Sequence, residues 1–72
     1  MNTADIVKAA REARGLTRKQ LADRSGVNTA TIWNIEKGKV DPRMSTMLAI
    51  FRVLDYDIVF NPRYRGGYID ER

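Results

Sequence analysis

The feature that most constrains the fold is a pair of helix starts separated by very little sequence. Thr17 and Gln20 have the spacing of a capping box, in which each side chain satisfies an orphan backbone N–H of the other residue. Asn28 is a favourable N-cap for a second helix. The helix predicted over residues 17–24 is therefore followed, after a turn of about three to four residues, by a helix predicted over residues 29–37. So short a turn forces the two helices to cross steeply, as in a helix-turn-helix motif.

Two further helices are predicted from apolar residues that recur at helical spacing, over residues 3–14 and 45–54. The last helix is unusually apolar. Its main stripe consists of Met44, Met47, Leu48, Phe51 and Leu54, and Ile50 and Val53 extend the stripe to a second side. This is more apolar surface than one helix needs to pack on a small core, so we expect the excess to form an interface.

The period of the pattern changes after the last helix. Tyr56, Ile58 and Phe60 alternate with polar or smaller residues, which predicts a β-strand. The strand could pair with residues 63–69 through the Gly66-Gly67 turn, or with the same strand of a second copy. We therefore divide the chain into a four-helix domain at residues 1–55 and a strand and tail at residues 56–72. The dimerisation residues expected from this division are Ile50, Val53, Tyr56, Ile58 and Phe60.

Positive charge is concentrated in the first half of the chain. The net charge is +4, and residues 1–39 hold eight Lys and Arg against four Asp and Glu. Residues 40–72 hold five of each kind. This asymmetry favours a polyanionic partner, although solubility alone is the competing interpretation.

Composition excludes several classes of protein. The chain has neither cysteine nor histidine, so disulfides, thiolate metal sites and the commonest general base are absent. Asp55 and Asp57 alternate, but two carboxylates without further ligands make a weak metal site. The longest apolar run, Met47 to Phe51, is too short to span a membrane, and the N-terminus does not resemble a signal peptide. We expect a cytoplasmic protein that is not an enzyme and binds no cofactor.

Beyond the helix-turn-helix spacing, the residues resemble a known family, the Cro/lambda-repressor-type (XRE) helix-turn-helix proteins. The resemblance covers about residues 4–54, and the part after Leu54 is similar to the HipB-type antitoxin subset. It is carried by Leu16-Thr17-Arg18-Lys19-Gln20-Leu21-Ala22, Gly26-Val27-Asn28, Ile32 and Ile35-Glu36-Lys37-Gly38. The resemblance implies an all-α, lambda-repressor-like domain of four helices, here with a C-terminal β-strand extension.

The resemblance also assigns roles to individual residues. Arg11 and Glu36 stand where some members place a buried ion pair, although an exposed pair of little energetic value is the alternative. Asn34 is the sharpest candidate for base recognition, because asparagine can pair bidentately with adenine. The base-facing positions are Thr29, Ala30, Thr31 and Asn34, and the DNA-backbone positions are Arg18, Asn28, Lys37, Lys39 and Arg43.

The function implied is that of a homodimeric, sequence-specific regulator that binds double-stranded DNA at an operator. Two alternatives remain open: an antitoxin that binds a toxin protein and autoregulates its operon, and a protein-interaction module without DNA binding. Trp33 fits none of these roles uniquely, since it could cover the rim of the core, pack on sugar-phosphate or bind a protein partner.

Overall fold

Four helices make up the part of the chain that the computed structural model describes, residues 2–62. They are α1 (Thr3–Ala13), α2 (Arg18–Ser25), α3 (Thr29–Glu36) and α4 (Met44–Val53). Each lies within a residue or so of a predicted helix, and the all-α helix-turn-helix fold is confirmed.

Side chains cap the first three helices, and those of α2 and α3 are the caps that the sequence predicts. The side-chain oxygen of Asn2 accepts a hydrogen bond from the backbone N–H of Asp5 at 2.9 Å. The capping box of α2 is complete, because the Gln20 N–H donates to Thr17 Oγ1 at 3.0 Å and the Thr17 N–H donates to Gln20 Oε1 at 2.9 Å. Asn28 Oδ1 accepts from an N–H of the first turn of α3 at 2.7 Å. These local bonds fix where each helix begins.

The turn between α2 and α3 depends on Gly26. Its φ of 76° lies in the left-handed region, which glycine adopts without the steric cost that a Cβ would add. Its N–H still bonds to the carbonyl of Ala22 at 2.9 Å, so the last turn of α2 is closed before the chain reverses. The reversal lets α3 pack against both α1 and α2, while α2 also packs against α4.

The core is small and draws on all four helices. Its buried members are Val7, Ala10, Leu21, Ala22, Ile32, Ile35, Ile50, Phe51 and Leu54. Ile50 is fully buried among them, so its side chain is not available to a second copy, contrary to the expectation from sequence. Val53 is half-buried and packs against the same core. With only four short helices available, the second apolar side of α4 is needed to complete the core rather than left for an interface.

The segment after α4 folds back without forming a regular element within residues 2–62. Asp55 adopts a left-handed φ of 65°, and the Tyr56 N–H then donates to the carbonyl of Phe51 at 2.9 Å. The Tyr56 ring meets the Phe51 ring edge-on with centroids 6.0 Å apart, and Ile58 packs half-buried against the core. The predicted strand stays a prediction, since its suggested hairpin partner at residues 63–69 lies outside the described residues. The domain boundary at residue 55 likewise remains a prediction.

Candidate nucleic-acid interface

Helix α3 has one side in the core and the other directed away from the domain. Ile32 and Ile35 are buried on the inner side. With 3.6 residues per turn, Ala30 and Asn34 fall together on the opposite side. Ala30 is exposed and Asn34 is half-buried. Of the other two candidates for base recognition, Thr29 is exposed and Thr31 is half-buried. The structure thus brings the four expected base-facing residues onto the accessible surface of a single helix.

A buried ion pair joins α1 to the end of α3. Arg11 Nε lies 2.7 Å from Glu36 Oε2, and Arg11 Nη2 lies 3.0 Å from Glu36 Oε1, so the contact is bidentate. Arg11 Nη1 also donates to the carbonyl of Leu16 at 2.8 Å. The side chains are 9% and 1% exposed, which places the pair in the interior rather than on the surface. A bidentate contact with a further hydrogen bond to a backbone carbonyl is the kind of geometry that a buried pair needs to offset the loss of hydration.

Arg18 makes a further bond to the same carboxylate. Its Nε donates to Glu36 Oε1 at 3.0 Å, and about a third of its side chain remains in contact with solvent. Sequence reasoning gave Arg18 a phosphate contact alone and missed its bond to Glu36. The two roles are compatible, because an arginine has five N–H donors and this bond uses only the one on Nε. The cluster of two guanidinium groups and one carboxylate carries a net positive charge beside the start of α2.

The arginines control the ionisation of Glu36. Burial is the largest single effect and raises the pKa of this carboxyl, but the hydrogen bonds and positive charges of Arg11 and Arg18 together outweigh burial and hold the pKa below its ordinary value. The same hydrogen bond raises the pKa of Arg11, against the opposing effect of burial. Glu36 is therefore a carboxylate at neutral pH, and the ion pair is fully formed.

Three cations and an aromatic ring lie around the end of α3 and the loop after it. Lys37, Lys39 and Arg43 are all exposed, as expected of residues that contact a DNA backbone. Trp33 is 39% exposed. Its ring lies 5.5 Å from Lys37 Nζ and 4.9 Å from Lys39 Nζ, measured to the ring centroid, so both ammonium groups are within cation–π range.

Asn28, the remaining residue expected to contact the DNA backbone, stands at the start of α3. Its side-chain oxygen is used by the helix cap, as described above, and its amide NH₂ group remains able to donate to a phosphate. The residue is exposed, so capping and phosphate contact are compatible.

Exposed apolar side chains of α4 and of the segment after it make up what we call the C-terminal apolar surface, which consists of Met44, Leu48, Tyr56, Val59 and Phe60. All five side chains are exposed, with Val59 and Phe60 at 68% and 73%. Shallow grooves flank the chain where residues 56–59 lie on α4. Sequence reasoning identified Tyr56 and Phe60 as interface residues but missed Val59, whose position in the alternation pointed away from them.

Arg14 holds this surface to the rest of the domain. Its Nε donates to the carbonyl of Leu54 at 2.8 Å, and its guanidinium lies 5.6 Å from the Tyr56 ring centroid. A longer contact of 3.9 Å joins it to the exposed carboxylate of Asp55. The exit of the chain from α4 is thereby fixed to the end of α1.

The described part of the chain contains neither a candidate metal site nor a candidate membrane-spanning helix. Residues 2–62 contain no group of three or more potential metal ligands. None of their helices is both long and apolar enough to cross a bilayer.

The sequence profile of one family, described as helix-turn-helix, matches residues 7–61. The chain belongs to the helix-turn-helix family. This confirms the resemblance drawn from the residues of α2 and α3, and the match includes the whole of the interface described above. The family is one of DNA-binding regulators rather than of enzymes. The narrower similarity to HipB-type antitoxins stays a prediction.

Two curated proteins are similar in sequence. An uncharacterised HTH-type transcriptional regulator, y4dL of Sinorhizobium fredii (strain NBRC 101917 / NGR234), is 35% identical over 57 residues, which cover 79% of this chain and 29% of that protein. An uncharacterised 15.4 kDa protein in the HgiDIIM 5′ region of Herpetosiphon aurantiacus is 40% identical over 47 residues, covering 65% of this chain and 34% of that protein. The chain thus spans about a third of the length of each.

Proposed function

We propose that this protein is a transcriptional regulator that binds a specific site in double-stranded DNA and acts as a homodimer on an operator. The observation that carries the proposal is the outward side of α3, where Ala30 and Asn34 lie on the same helix surface as a group of cations at its C-terminal end, Arg18, Lys37 and Lys39. The excess positive charge of residues 1–39 lies in the same half of the chain. The name of the regulator from Sinorhizobium fredii agrees with this role. Such a role would place the protein in the cytoplasm, on the nucleoid when bound.

In the proposed complex α3 enters the major groove. Asn34 pairs with an adenine edge, and Ala30 contacts a thymine methyl group. Thr29 and Thr31 complete the base-facing set, while Arg18, Asn28, Lys37, Lys39 and Arg43 contact the phosphates on either side. Phosphate contacts supply most of the affinity and position the helix, and the base contacts supply specificity.

The ion pair of Arg11 with Glu36 gives this helix its rigidity. It ties the last turn of α3 to α1 by two hydrogen bonds in the interior. Because Arg18 bonds to the same carboxylate, a phosphate contact made by Arg18 keeps a fixed distance from the end of α3. The recognition surface is thereby prepared before DNA binds, which lowers the entropic cost of forming the complex.

The homodimer rests on the C-terminal apolar surface. Large side chains exposed together in a small soluble domain are characteristic of an interface. A second copy placed there would set two α3 helices on successive major grooves, roughly 34–36 Å apart. Tyr56, Ile58 and Phe60 would line or support the contact, with Val53 behind them.

The experiment that tests the proposal is DNA binding as a function of salt. If a dimer neutralises on the order of 6 phosphates, log K should fall with log salt with a slope of about −5. Duplexes enriched by the protein from a random pool should bind more tightly than scrambled duplexes at one salt concentration. An affinity that did not depend on salt would exclude DNA as the partner.

A second candidate is an antitoxin that binds a toxin protein and autoregulates its operon. The exposure of Val59 and Phe60 favours it, because a toxin could cover these side chains in place of a second copy. Sedimentation of the purified chain, alone and with the product of a neighbouring gene, distinguishes the two. A stable dimer that does not bind that product supports the simple regulator, and a tight hetero-complex supports the antitoxin.

A further inference from the structure

The cluster of Trp33, Lys37 and Lys39 is the feature that the proposed function does not yet explain. Lys37 follows Trp33 by one helical turn, so the two share a side of α3. Lys39 would move away from the helix if the chain continued straight. It returns to the ring because Gly38 adopts a left-handed φ of 73° and the Lys39 N–H then bonds to the Asn34 carbonyl at 2.9 Å.

The two ammonium groups lie at one aromatic ring without an anionic partner in the described residues. Neither Lys37 nor Lys39 forms a salt bridge within residues 2–62, although Asp41 is near in sequence. Each Nζ lies within about 6 Å of the same ring, whose negative face attracts cations. Two like charges gathered at one ring repel each other, and an anion that neutralises both relieves the repulsion.

The position of the cluster on α3 selects the kind of anion. At 100° per residue, Ala30, Asn34, Trp33 and Lys37 fall within one sector of about 100° on the helix surface. The cluster therefore borders the base-facing residues and lies on the same outward side. A phosphodiester beside the groove is the anion that a helix seated there would meet first.

We propose that Trp33 is a positioning residue that holds Lys37 and Lys39 as a clamp for a single stretch of DNA backbone. The ring restricts both flexible side chains, and each ammonium keeps N–H donors directed away from the ring for phosphate oxygens. Trp33 then contributes through the lysines rather than through contacts of its own. The inference rests on the proposed function, since it requires DNA at this face.

A double-mutant cycle tests the clamp on a mixed-sequence duplex about 30 base pairs long, roughly three helical turns. The variants are Trp33→Leu, the pair Lys37→Met with Lys39→Met, and all three changes together. Trp33→Leu should weaken binding about 3- to 10-fold when both lysines are present and have almost no effect when both are methionine. The lysine variant should flatten the salt slope by about 2 per bound chain.

Two controls separate positioning from packing. Trp33→Phe keeps an aromatic face and should retain most of the affinity for DNA. Trp33→Leu should show the full loss of affinity given above, while its Tm stays unchanged. Trp33 is the only tryptophan of the chain, so its own emission should change on DNA titration with the same midpoint as the anisotropy of the labelled duplex.

The outcomes distinguish this inference from the proposed function. If the wild-type protein shows no salt-dependent binding, the proposed function fails and the clamp with it. If the wild type binds DNA but Trp33→Leu lowers the affinity equally with both lysines present and with both replaced by methionine, only the clamp fails. Trp33 then acts through its own contacts. A fall in Tm that accompanies the loss, or tryptophan emission that DNA leaves unchanged, also overturns the clamp and favours a core-rim role or an acidic protein partner.

Discussion

The α2–α3 half of the molecule and the C-terminal apolar surface differ in how completely their groups are satisfied within one chain. In the first region Glu36 accepts bonds from Arg11 and Arg18, and the caps of both helices are closed. In the second region, Val59 and Phe60 keep most of their apolar area in solvent. The polar groups of the first region are paired within the single chain, whereas the apolar side chains of the second would be covered only in a complex with another molecule.

This difference indicates which interactions contribute to folding and which contribute to association. Buried polar groups must be paired internally, because an unpaired group in the interior costs several kcal/mol. Exposed apolar groups cost little while they remain hydrated and contribute on association. We therefore expect substitutions in the first region to affect folding and substitutions in the second to affect assembly.

Removal of Glu36 is expected to have the largest effect, and it acts on folding. Glu36→Ala leaves the Arg11 guanidinium buried without its carboxylate and should cost about 3–5 kcal/mol in the free energy of unfolding. Chemical denaturation followed by circular dichroism measures the loss. Asp23→Ala is the matched control, since it breaks the exposed 3.2 Å pair with Lys19 and should stay within about 0.5 kcal/mol.

A second variant keeps this prediction informative if Glu36→Ala fails to fold. Arg11→Met combined with Glu36→Leu replaces the pair with apolar side chains of similar size and should recover much of the stability. Equal stabilities of Glu36→Ala and Asp23→Ala would show that the buried ion pair contributes no more to folding than an exposed one, which would contradict the description of the α2–α3 half.

Charge placed on the C-terminal apolar surface should break assembly and leave folding nearly intact. Leu48→Lys with Phe60→Lys should weaken the proposed dimer by about 2 kcal/mol or more, because charges would face each other across a desolvated contact. Sedimentation velocity over a range of concentrations measures it. Val40→Lys introduces the same charge at a similarly exposed apolar position outside this surface and should leave the dimer unchanged. A wild-type chain that sediments as a monomer at all concentrations would contradict the assignment of the C-terminal apolar surface to assembly.

Substitution of Asn34 should affect the recognition of a DNA sequence without affecting folding or assembly. Asn34→Ala should leave the Tm nearly unchanged, since surface substitutions usually stay within about 0.5 kcal/mol. On the preferred duplex it should cost about 1–3 kcal/mol, and on a scrambled duplex almost nothing. Anisotropy titrations of both duplexes at one salt concentration give the comparison. Equal losses on the two would mean that Asn34 touches only backbone.

Acid should weaken the contact between Glu36 and its two arginines and thereby lower the stability of the domain, with a smaller effect than deletion of Glu36. The pKa of Glu36 is lower in the folded protein than in the unfolded chain, so its contribution is fully present above the unfolded value of about 4.3. It is lost as the pH falls through the lower folded pKa. A protonated carboxyl still accepts hydrogen bonds, which limits the loss. Unfolding curves of the wild type and of Glu36→Gln should converge as the pH falls below 4.3, and parallel curves would contradict the assignment.

Much of the fold follows from short-range patterns. The capping box of Thr17 with Gln20 and the cap at Asn28 use atoms only two or three residues apart, so their formation requires no knowledge of the tertiary structure. The outward position of Ala30 and Asn34 follows from helical periodicity once Ile32 and Ile35 are taken as core. The Arg11–Glu36 contact was expected from the family resemblance, and its spacing of 25 residues carries no local signal.

Other features of the site could not be predicted in this way. The bond from Arg18 to Glu36 depends on the crossing of α2 and α3, which sets a distance between residues 18 positions apart. The approach of Lys39 to Trp33 depends on a backbone reversal at Gly38. In each case a single change of backbone direction decides whether two side chains meet.

The sequence by itself determined where the four helices lie, how the turn between α2 and α3 forms and which side of α3 faces outward, because these depend on hydrogen bonds and periodicity within a few residues. Only the tertiary structure decided that Ile50 is core while Leu48, two positions earlier, is exposed. Periodicity gives the direction of a side chain around its helix, but the neighbours that cover it come from distant parts of the chain. For the same reason only packing could place two arginines on Glu36 and leave the C-terminal apolar surface open.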